Sequence, residues 1–201
     1  MTKLSIVGIG GTTAATSSTE TALRIALDAA KAEGAEVALF GGSQLAELPH
    51  FGPGVAAGSP VARDLVEAVR GADGVIIASP GYHGSISGLV KNAVDYIEET
   101  AKDKRAYLDG IPVGLIVTAA GWQATGSTLA TMRSIVHALR GWPTPLGAAI
   151  KSASGLFVGG ICTDPAAASQ LELVGRQVVE FARLHQRAPA IGATGPVEEQ
   201  A

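Results

Sequence analysis

The chain has 201 residues, of which 47% are hydrophobic, and a formal net charge of −3, which is typical of one globular domain with a sizeable core. The charged fraction is only 16% and basic residues form no stripe, so nucleic-acid binding is not expected. No apolar run approaches the roughly 18 residues of a membrane span, the N-terminus lacks a signal-peptide pattern, and the single cysteine, Cys162, excludes an intramolecular disulfide, so a cytoplasmic protein is predicted.

In the first part of the chain, short apolar runs alternate with amphipathic segments. Strands are predicted over residues 3–9, 35–40 and 74–79. Helices are predicted over residues 18–33 and 62–70. Ser17 or Ser18 is expected to cap the first helix, and Gly34 to end it. Glycine, proline and serine are frequent in residues 41–60, which are predicted to form a long loop.

The second part of the chain continues this alternation. Helices are predicted over residues 86–99, 127–140 and 166–186. Strands are predicted over residues 111–118 and 145–150, with 156–158 as a second segment of the last strand. Residues 188–201 consist largely of alanine, proline, glycine and glutamate and are predicted to be a mobile tail.

Continuously apolar strands that alternate with helices are typical of a parallel sheet covered on both faces. The pattern therefore predicts an α/β fold, with a doubly wound five-stranded parallel sheet in three layers and one domain over residues 1–187. Ligands of such sheets bind beyond the carboxyl ends of the strands. Three glycine-rich turns follow predicted strands, at residues 8–19, 79–88 and 118–126. They are expected to lie at one edge and to converge on one ligand.

The first turn, residues 8–19, is rich in hydroxyl side chains and opens a helix. Backbone N–H groups at a helix N-terminus favour an anion, and hydroxyls add further donors. The turn lacks the lysine of a Walker loop, Thr13 stands where a dinucleotide fingerprint requires glycine, and the next strand ends in Phe40 instead of an acid. A mononucleotide phosphate is therefore favoured, and a hydroxyl-rich helix cap without a ligand is the alternative.

The second and third turns offer aromatic side chains beside flexible backbone. Tyr82 is predicted to form a wall beside a planar ligand or, alternatively, to pack at the turn. His83 is a candidate hydrogen-bond donor or proton relay, and the alternative is a histidine that faces solvent. Small residues in the third turn permit close approach to a flat ligand, and Trp122 either stacks on that ligand or belongs to the core or to a subunit contact.

The second turn and the helix after it resemble the NADPH-dependent FMN reductase family, a flavodoxin-like group. The family signature Pro-x-Tyr-x-Gly-Ser-x-x-Gly-x-x-Lys-Asn-x-x-Asp is matched, in order and without a gap, by Pro80, Tyr82, Gly84, Ser85, Gly88, Lys91, Asn92 and Asp95. The family's first loop, Gly-Ser-x-Arg-x-x-Ser-x-Thr, is matched over residues 11–19, with Thr12 for serine and Ala14 for arginine. The similarity covers roughly residues 1–187.

The resemblance implies a flavodoxin-like fold with FMN at the carboxyl edge of the sheet. It implies that the FMN phosphate is held by Gly11, Thr12, Ser17, Ser18 and Thr19. It implies that the isoalloxazine ring lies against Pro80, Gly81, Tyr82, His83, Gly84 and Ser85, with a third wall at Thr118, Ala119, Ala120, Gly121 and Trp122. It also implies that NADPH or NADH reduces the flavin, that electrons pass to a second acceptor or to a partner monooxygenase, and that the chain forms a homodimer or homotetramer.

Two departures from the family pattern concern the ring and the phosphate. Many members have glutamate at the position of Gly81 and asparagine at that of His83, so acceptor choice is expected to be decided there. Ala14 removes a cation, which predicts weaker FMN binding or a weaker preference for NADPH over NADH.

Hydride transfer requires alignment of cofactor and substrate and no catalytic triad, so His83 is the only candidate catalytic residue. The four histidines, at 50, 83, 137 and 185, show no metal-ligand spacing, and no metal is expected. Three alternatives to a flavin reductase remain: a quinone, azo-dye or chromate reductase with tightly bound FMN, a non-catalytic FMN carrier, and a scaffold that has lost its flavin.

Overall fold

The computed structural model describes residues 3–187; the predicted tail, residues 188–201, lies outside them. The strands are β1 (Ser5–Gly10), β2 (Glu36–Phe40), β3 (Gly74–Tyr82), β4 (Ser85–Ile86), β5 (Pro112–Ala119), β6 (Trp142–Lys151), β7 (Phe157–Val158) and β8 (Ile161–Cys162). The helices are α1 (Ser18–Ala32), α2 (Gly42–Ala46), α3 (Val55–Gly58), α4 (Pro60–Gly71), α5 (Gly88–Asp95), α6 (Trp122–Ala138) and α7 (Pro165–Arg187). A 3₁₀ turn, Tyr96–Thr100, extends α5.

Five strands form a parallel sheet in the order β2-β1-β3-β5-β6. Neighbouring residues of β3 face opposite sides of it: Val75 and Ile77 belong to one buried cluster, and Ile76 and Ala78 to the other. Both faces of the central strands β3 and β5 are therefore buried, which explains why these strands are continuously apolar. The predicted doubly wound, five-stranded parallel sheet is confirmed.

Two layers of helices cover the sheet. Helices α1 and α7 pack on one face, where Leu23 and Leu171 are fully buried. Helices α4, α5 and α6 pack on the other face through side chains such as Leu65, Val90 and Met132. None of the helices within residues 3–187 combines the length and apolar character needed to cross a membrane. The three-layer arrangement leaves the turns at the strand ends as the place for a site.

Three predictions for residues 41–88 are wrong in detail. The stretch 41–60, predicted to be a loop, contains the short helices α2 and α3, and its last residue, Pro60, begins α4, which the hydroxyl of Ser59 caps. The strand predicted to end at Ser79 continues to Tyr82 and pairs with β4 in an antiparallel hairpin. The helix predicted from residue 86 begins at Gly88, because residues 85–86 belong to that hairpin.

Two boundaries in the second part also differ from prediction. Helix α6 begins at Trp122 and not at Ser127, so residues 122–126 of the third turn are helical. Strand β6 begins at Trp142, and residues 156–158 do not extend it, since β7 pairs with β8 in a separate two-stranded hairpin. Glycines at 159 and 160, both with positive φ, form the tip of that hairpin, and such positions favour glycine.

Candidate functional site

The carboxyl ends of three neighbouring strands bring the predicted turns together. Gly10 at the end of β1 pairs with Ala78 of β3, and Pro80 pairs with Thr118 of β5. The first turn is therefore adjacent to the second, and the second to the third, at one edge of the sheet. This is the arrangement that the sequence predicted for a single ligand.

The first turn is closed by Ser17, the N-cap residue of α1. Its buried hydroxyl oxygen accepts hydrogen bonds from the backbone N–H groups of Thr12 and Glu20, each at 3.1 Å. Between these points the chain from Thr13 to Thr16 is exposed, and the N–H groups of Thr13, Ala15 and Thr16 have no partner within residues 3–187. The turn therefore offers a set of unoccupied donors at the positive end of a helix.

A contact that the sequence did not predict supports this turn from α2. The backbone N–H of Gly42 donates to Glu20 Oε2 at 2.9 Å, while Glu20 Oε1 accepts from Arg24. A Cβ atom at position 42 would lie 1.9 Å from the carbonyl oxygen of Thr12. Only glycine allows α2 to approach the backbone of the first turn this closely. The glycine pair at 41–42 is the signal in the sequence that could have indicated this contact.

The second turn is the tip of the β3–β4 hairpin. His83 has φ 50° and Gly84 has φ 86°, the two consecutive positive values of a type I′ turn. Tyr82, His83 and Gly84 are exposed, and 53% of the Tyr82 surface is accessible. Buried Ser79 holds the base of the hairpin, because its hydroxyl accepts from Ser87 N at 3.0 Å and donates to Pro80 O at 2.9 Å.

Helix α6 packs directly on this hairpin at Gly81. A Cβ atom at position 81 would lie 2.9 Å from Thr128 Oγ1 and 3.1 Å from Ala119 Cβ. Thr128, fully buried, donates its hydroxyl hydrogen to Ser85 O at 3.3 Å. A side chain at position 81 would therefore push α6 away from the hairpin, so Gly81 sets the distance between the second and third turns.

The third turn divides into a buried half and an exposed half. Thr118 and Ala119 are buried, whereas Ala120 is exposed and Gly121 is the N-cap residue of α6. Trp122 is the first residue of α6 and 65% of its surface is accessible, so it is not a core residue. Exposed aromatic side chains thus stand at both the second and the third turns.

Two of the predicted site residues contact each other. Thr19 on α1 and Thr118 on β5 are both buried, and their hydroxyl oxygens lie 2.6 Å apart. One hydroxyl donates to the other, which joins the first turn to the third. Thr19 and Thr118 are thus engaged with each other, unlike the exposed residues 13–16.

We expect the hydrogen bond between the Thr19 and Thr118 side chains to stabilise the folded protein. Either Thr19→Val or Thr118→Val is expected to lower the free energy of unfolding by about 1–2 kcal/mol, because the remaining hydroxyl is left buried without its partner. The double variant is expected to lose less than the sum of the two, which urea denaturation of all four proteins measures. Additive losses would contradict a direct hydrogen bond.

The helix after the hairpin anchors the connection that follows β2. Asn92 Oδ1 accepts from Phe51 N at 2.8 Å, and Asn92 Nδ2 donates to Pro49 O at 2.9 Å. The Tyr96 hydroxyl donates to the same Pro49 oxygen at 2.9 Å, and burial raises the pKa of this phenol, so it remains a donor at neutral pH. Asn92 of the signature therefore has a structural role. Within residues 3–187 no three histidine, cysteine or acidic side chains form a metal cluster.

Comparison with known proteins identifies relatives of this fold and sequence. The sequence model of a family described as NADPH-dependent FMN reductase matches residues 4–155. Proteins of Staphylococcus haemolyticus and Staphylococcus aureus described as FMN-dependent NADPH-azoreductases are 37% identical over 83 residues, which is 41% of this chain. The matched segment spans 40% of the length of these relatives.

Solved structures of flavoenzymes share the fold. The NAD(P)H:(acceptor) oxidoreductase FerB of Paracoccus denitrificans has a TM-score of 0.72 at 21% identity, covering 90% of this chain and 98% of that one. A flavodoxin, WrbA-like protein of Agrobacterium tumefaciens has a TM-score of 0.63 at 17% identity, with coverage of 92% and 99%. At these identities the likeness concerns the fold alone, and it confirms the flavodoxin-like architecture that the resemblance implied.

The match to the family model covers most of the chain and includes all three turns at the carboxyl edge of the sheet. The flavodoxin-like fold agrees with it independently. The chain therefore belongs to the NADPH-dependent FMN reductase family, whose members are FMN- and NAD(P)H-dependent oxidoreductases.

Proposed function

We propose that this protein is an FMN-dependent oxidoreductase that takes a hydride from NAD(P)H and passes electrons to free flavin or to another acceptor. The observation that carries the proposal is the meeting of three turns at one sheet edge, within the segment that matches the family. One turn offers unoccupied N–H donors, and the other two offer exposed aromatic side chains. Together they suit a ligand with a phosphate at one end and a flat ring at the other.

The first turn fits the phosphate of FMN. Its donors are backbone N–H groups and hydroxyls, and the neighbouring carboxylate of Glu20 already accepts from Arg24 and Gly42. We assign phosphate binding to residues that surround the unoccupied donors: Gly11, Thr12, Ser17, Ser18 and Thr19. Of these, Ser17 and Thr19 act partly through the contacts that shape the turn, since their oxygens are engaged within the protein.

The hairpin and the third turn fit the ring. We assign the ring walls to Pro80, Gly81, Tyr82, His83, Gly84 and Ser85 and to Thr118, Ala119, Ala120, Gly121 and Trp122. FMN, when bound, supplies the hydride-accepting chemistry. The residues of the chain orient it: Tyr82 and Trp122 present aromatic faces that exclude water, and the close packing at Gly81 sets the width between the two walls. Hydride transfer moves no proton through a side chain, so alignment is the main contribution of the protein.

The proposed activity is tested by steady-state oxidation of NADH and NADPH with FMN, FAD, a quinone and an azo dye as acceptors. Oxidation that depends on added FMN supports the proposal. A protein that binds FMN yet oxidises neither nucleotide with any acceptor is an electron carrier, and one that does neither is a scaffold without flavin; either result would overturn the proposal.

Azo-dye reduction is the second candidate. The observation that favours it is the description of the matched staphylococcal relatives as FMN-dependent NADPH-azoreductases. The two candidates differ in whether FMN stays bound. Gel filtration after turnover separates them, because an azoreductase with tightly bound FMN retains its yellow colour, whereas a flavin reductase releases reduced FMN.

Ala14 is expected to limit the affinity of the first turn for anions. It is exposed and stands between the unoccupied donors of Thr13 and Ala15. Ala14→Arg is expected to raise FMN affinity or the NADPH-to-NADH preference by about fivefold, the range of an exposed ion pair. Fluorescence titration with FMN and the ratio of kcat/KM values measure the two effects.

The matched control for Ala14→Arg is Ala32→Arg, at the exposed last residue of α1. It adds the same charge at the far end of α1, away from the first turn that contains Ala14. If the two variants change both quantities equally, the effect is one of net charge and the hypothesis about Ala14 is wrong.

Three further parts of the proposal rest on the family and on the sequence. The chain is proposed to form a homodimer or homotetramer and, as a flavin reductase, to supply reduced flavin to a partner monooxygenase. A cytoplasmic location is proposed because its single cysteine, Cys162, is a free thiol, which is typical of a reducing compartment. Sedimentation analysis of the purified protein tests the first of these.

A further inference from the structure

A cleft of about 560 Å³ lies beside the first turn, on the side of α1. One wall is formed by residues 14–18 and the first two turns of α1, including Thr21 and Arg24. The opposite wall is formed by the segment that follows β6, including Ser154, Phe157 and Gly160. None of the proposed ring-wall residues lines it. The cleft therefore adjoins the proposed phosphate site but is separate from the proposed site of the ring.

Arg24 is the one cation among the described residues that line this cleft. It is held by Glu20, one turn earlier on α1: Nε and Nη2 both donate to Glu20 Oε1, at 3.2 and 2.7 Å. A guanidinium has five N–H donors, and the other three have no partner within residues 3–187. The side chain is 59% exposed, so it is held in place yet able to bind an anion from the cleft.

The chemistry of the cleft suits a phosphorylated nucleoside. A planar guanidinium with free donors matches the oxygens of a phosphate monoester. Hydroxyls at Thr16 and Ser154 can bond to a sugar, and Phe157 with the glycine backbone of the opposite wall offers an apolar surface to a base. The volume lies in the range of pockets that hold whole small ligands, far more than a phosphate alone requires.

We propose that this cleft binds the 2′-phosphoadenosine end of NADPH, with Arg24 contacting the 2′-phosphate, an inference that rests on the proposed use of NAD(P)H. NADH lacks this phosphate, so Arg24 determines the preference between the two nucleotides. FMN also carries a phosphate monoester. The experiment must therefore distinguish contact of Arg24 with the FMN phosphate from contact with the 2′-phosphate of NADPH.

The test uses the FMN-loaded protein, titrated calorimetrically with 2′,5′-ADP and with 5′-AMP, which differ only in the 2′-phosphate. The wild-type protein is expected to bind 2′,5′-ADP the more tightly. Arg24→Gln is expected to weaken 2′,5′-ADP binding about tenfold, the range of a charged hydrogen bond, and to leave 5′-AMP unchanged. The matched control is Arg176→Gln, since Arg176 forms an exposed ion pair with Glu172 of the same i,i+4 spacing on α7.

Two further measurements separate the possible outcomes. Titration of the FMN-free protein with FMN should show a smaller loss of affinity in Arg24→Gln than the loss of 2′,5′-ADP binding, because Arg24 reaches the first turn only through Glu20; a loss in FMN affinity with unchanged 2′,5′-ADP binding assigns Arg24 to the flavin phosphate and overturns the proposal. Ser154→Trp, which narrows the cleft from the opposite wall, should weaken both 2′,5′-ADP and 5′-AMP. Equal binding of the two nucleotides by wild type also overturns the proposal, whether or not the protein oxidises NADPH.

Discussion

Gly42→Ala is expected to lower the free energy of unfolding by about 3 kcal/mol and to weaken FMN binding about tenfold or more. The added methyl group would lie 1.9 Å from the carbonyl oxygen of Thr12 and 2.4 Å from its carbonyl carbon. Both atoms belong to the backbone, so no side-chain rotation relieves the overlap. Either α2 or the first turn must move, which breaks the hydrogen bond from Gly42 N to Glu20 and misplaces donors that each contribute about 1 kcal/mol.

The control for this substitution is Gly58→Ala. Gly58 ends the other short helix of the same connection, and a Cβ atom there meets no heavy atom within 4 Å. Urea denaturation and FMN fluorescence titration should show little change for Gly58→Ala. If Gly42→Ala behaves like its control, the close approach of α2 to the first turn does not support the phosphate site.

The parallel sheet and its helices could be predicted because local patterns determine them. Strands buried on both faces must be apolar throughout, and helices packed on one face repeat their apolar residues every three to four positions. The β3–β4 hairpin was missed because β4 has only two residues, too few for a pattern. Pro80 also argues against a strand, yet it is accommodated in β3, where it pairs with Thr118.

The site could be predicted as a set of turns but not as a set of contacts. The three turns follow parallel strands and therefore lie at one edge, and the sequence indicates such a parallel sheet. The hydrogen bond between Thr19 and Thr118 joins residues 99 positions apart, and the contact of Gly42 with Thr12 depends on a helix of five residues. Such contacts are determined by how whole elements pack, which no local pattern records.

Tyr82→Ala is expected to weaken FMN binding roughly tenfold to a hundredfold, the range reported by truncating an aromatic side chain that stacks on a heterocycle. The fold should remain intact, because 53% of the Tyr82 surface is accessible and the hairpin is held through Ser79 and Thr128. The control is Trp142→Ala. Trp142 is also an exposed aromatic residue at a strand end, but it pairs with Pro112 at the opposite edge of the sheet.

Tyr82→Phe separates stacking from hydrogen bonding by the hydroxyl. If the ring of Tyr82 covers the flavin, the phenylalanine variant keeps FMN affinity close to that of wild type, since the aromatic face is unchanged. A loss as large as that of Tyr82→Ala would instead assign the interaction to the hydroxyl group. Unchanged FMN affinity in both variants, with melting temperatures equal to that of wild type, would exclude the hairpin tip from the flavin site and leave the choice of acceptor to the third turn.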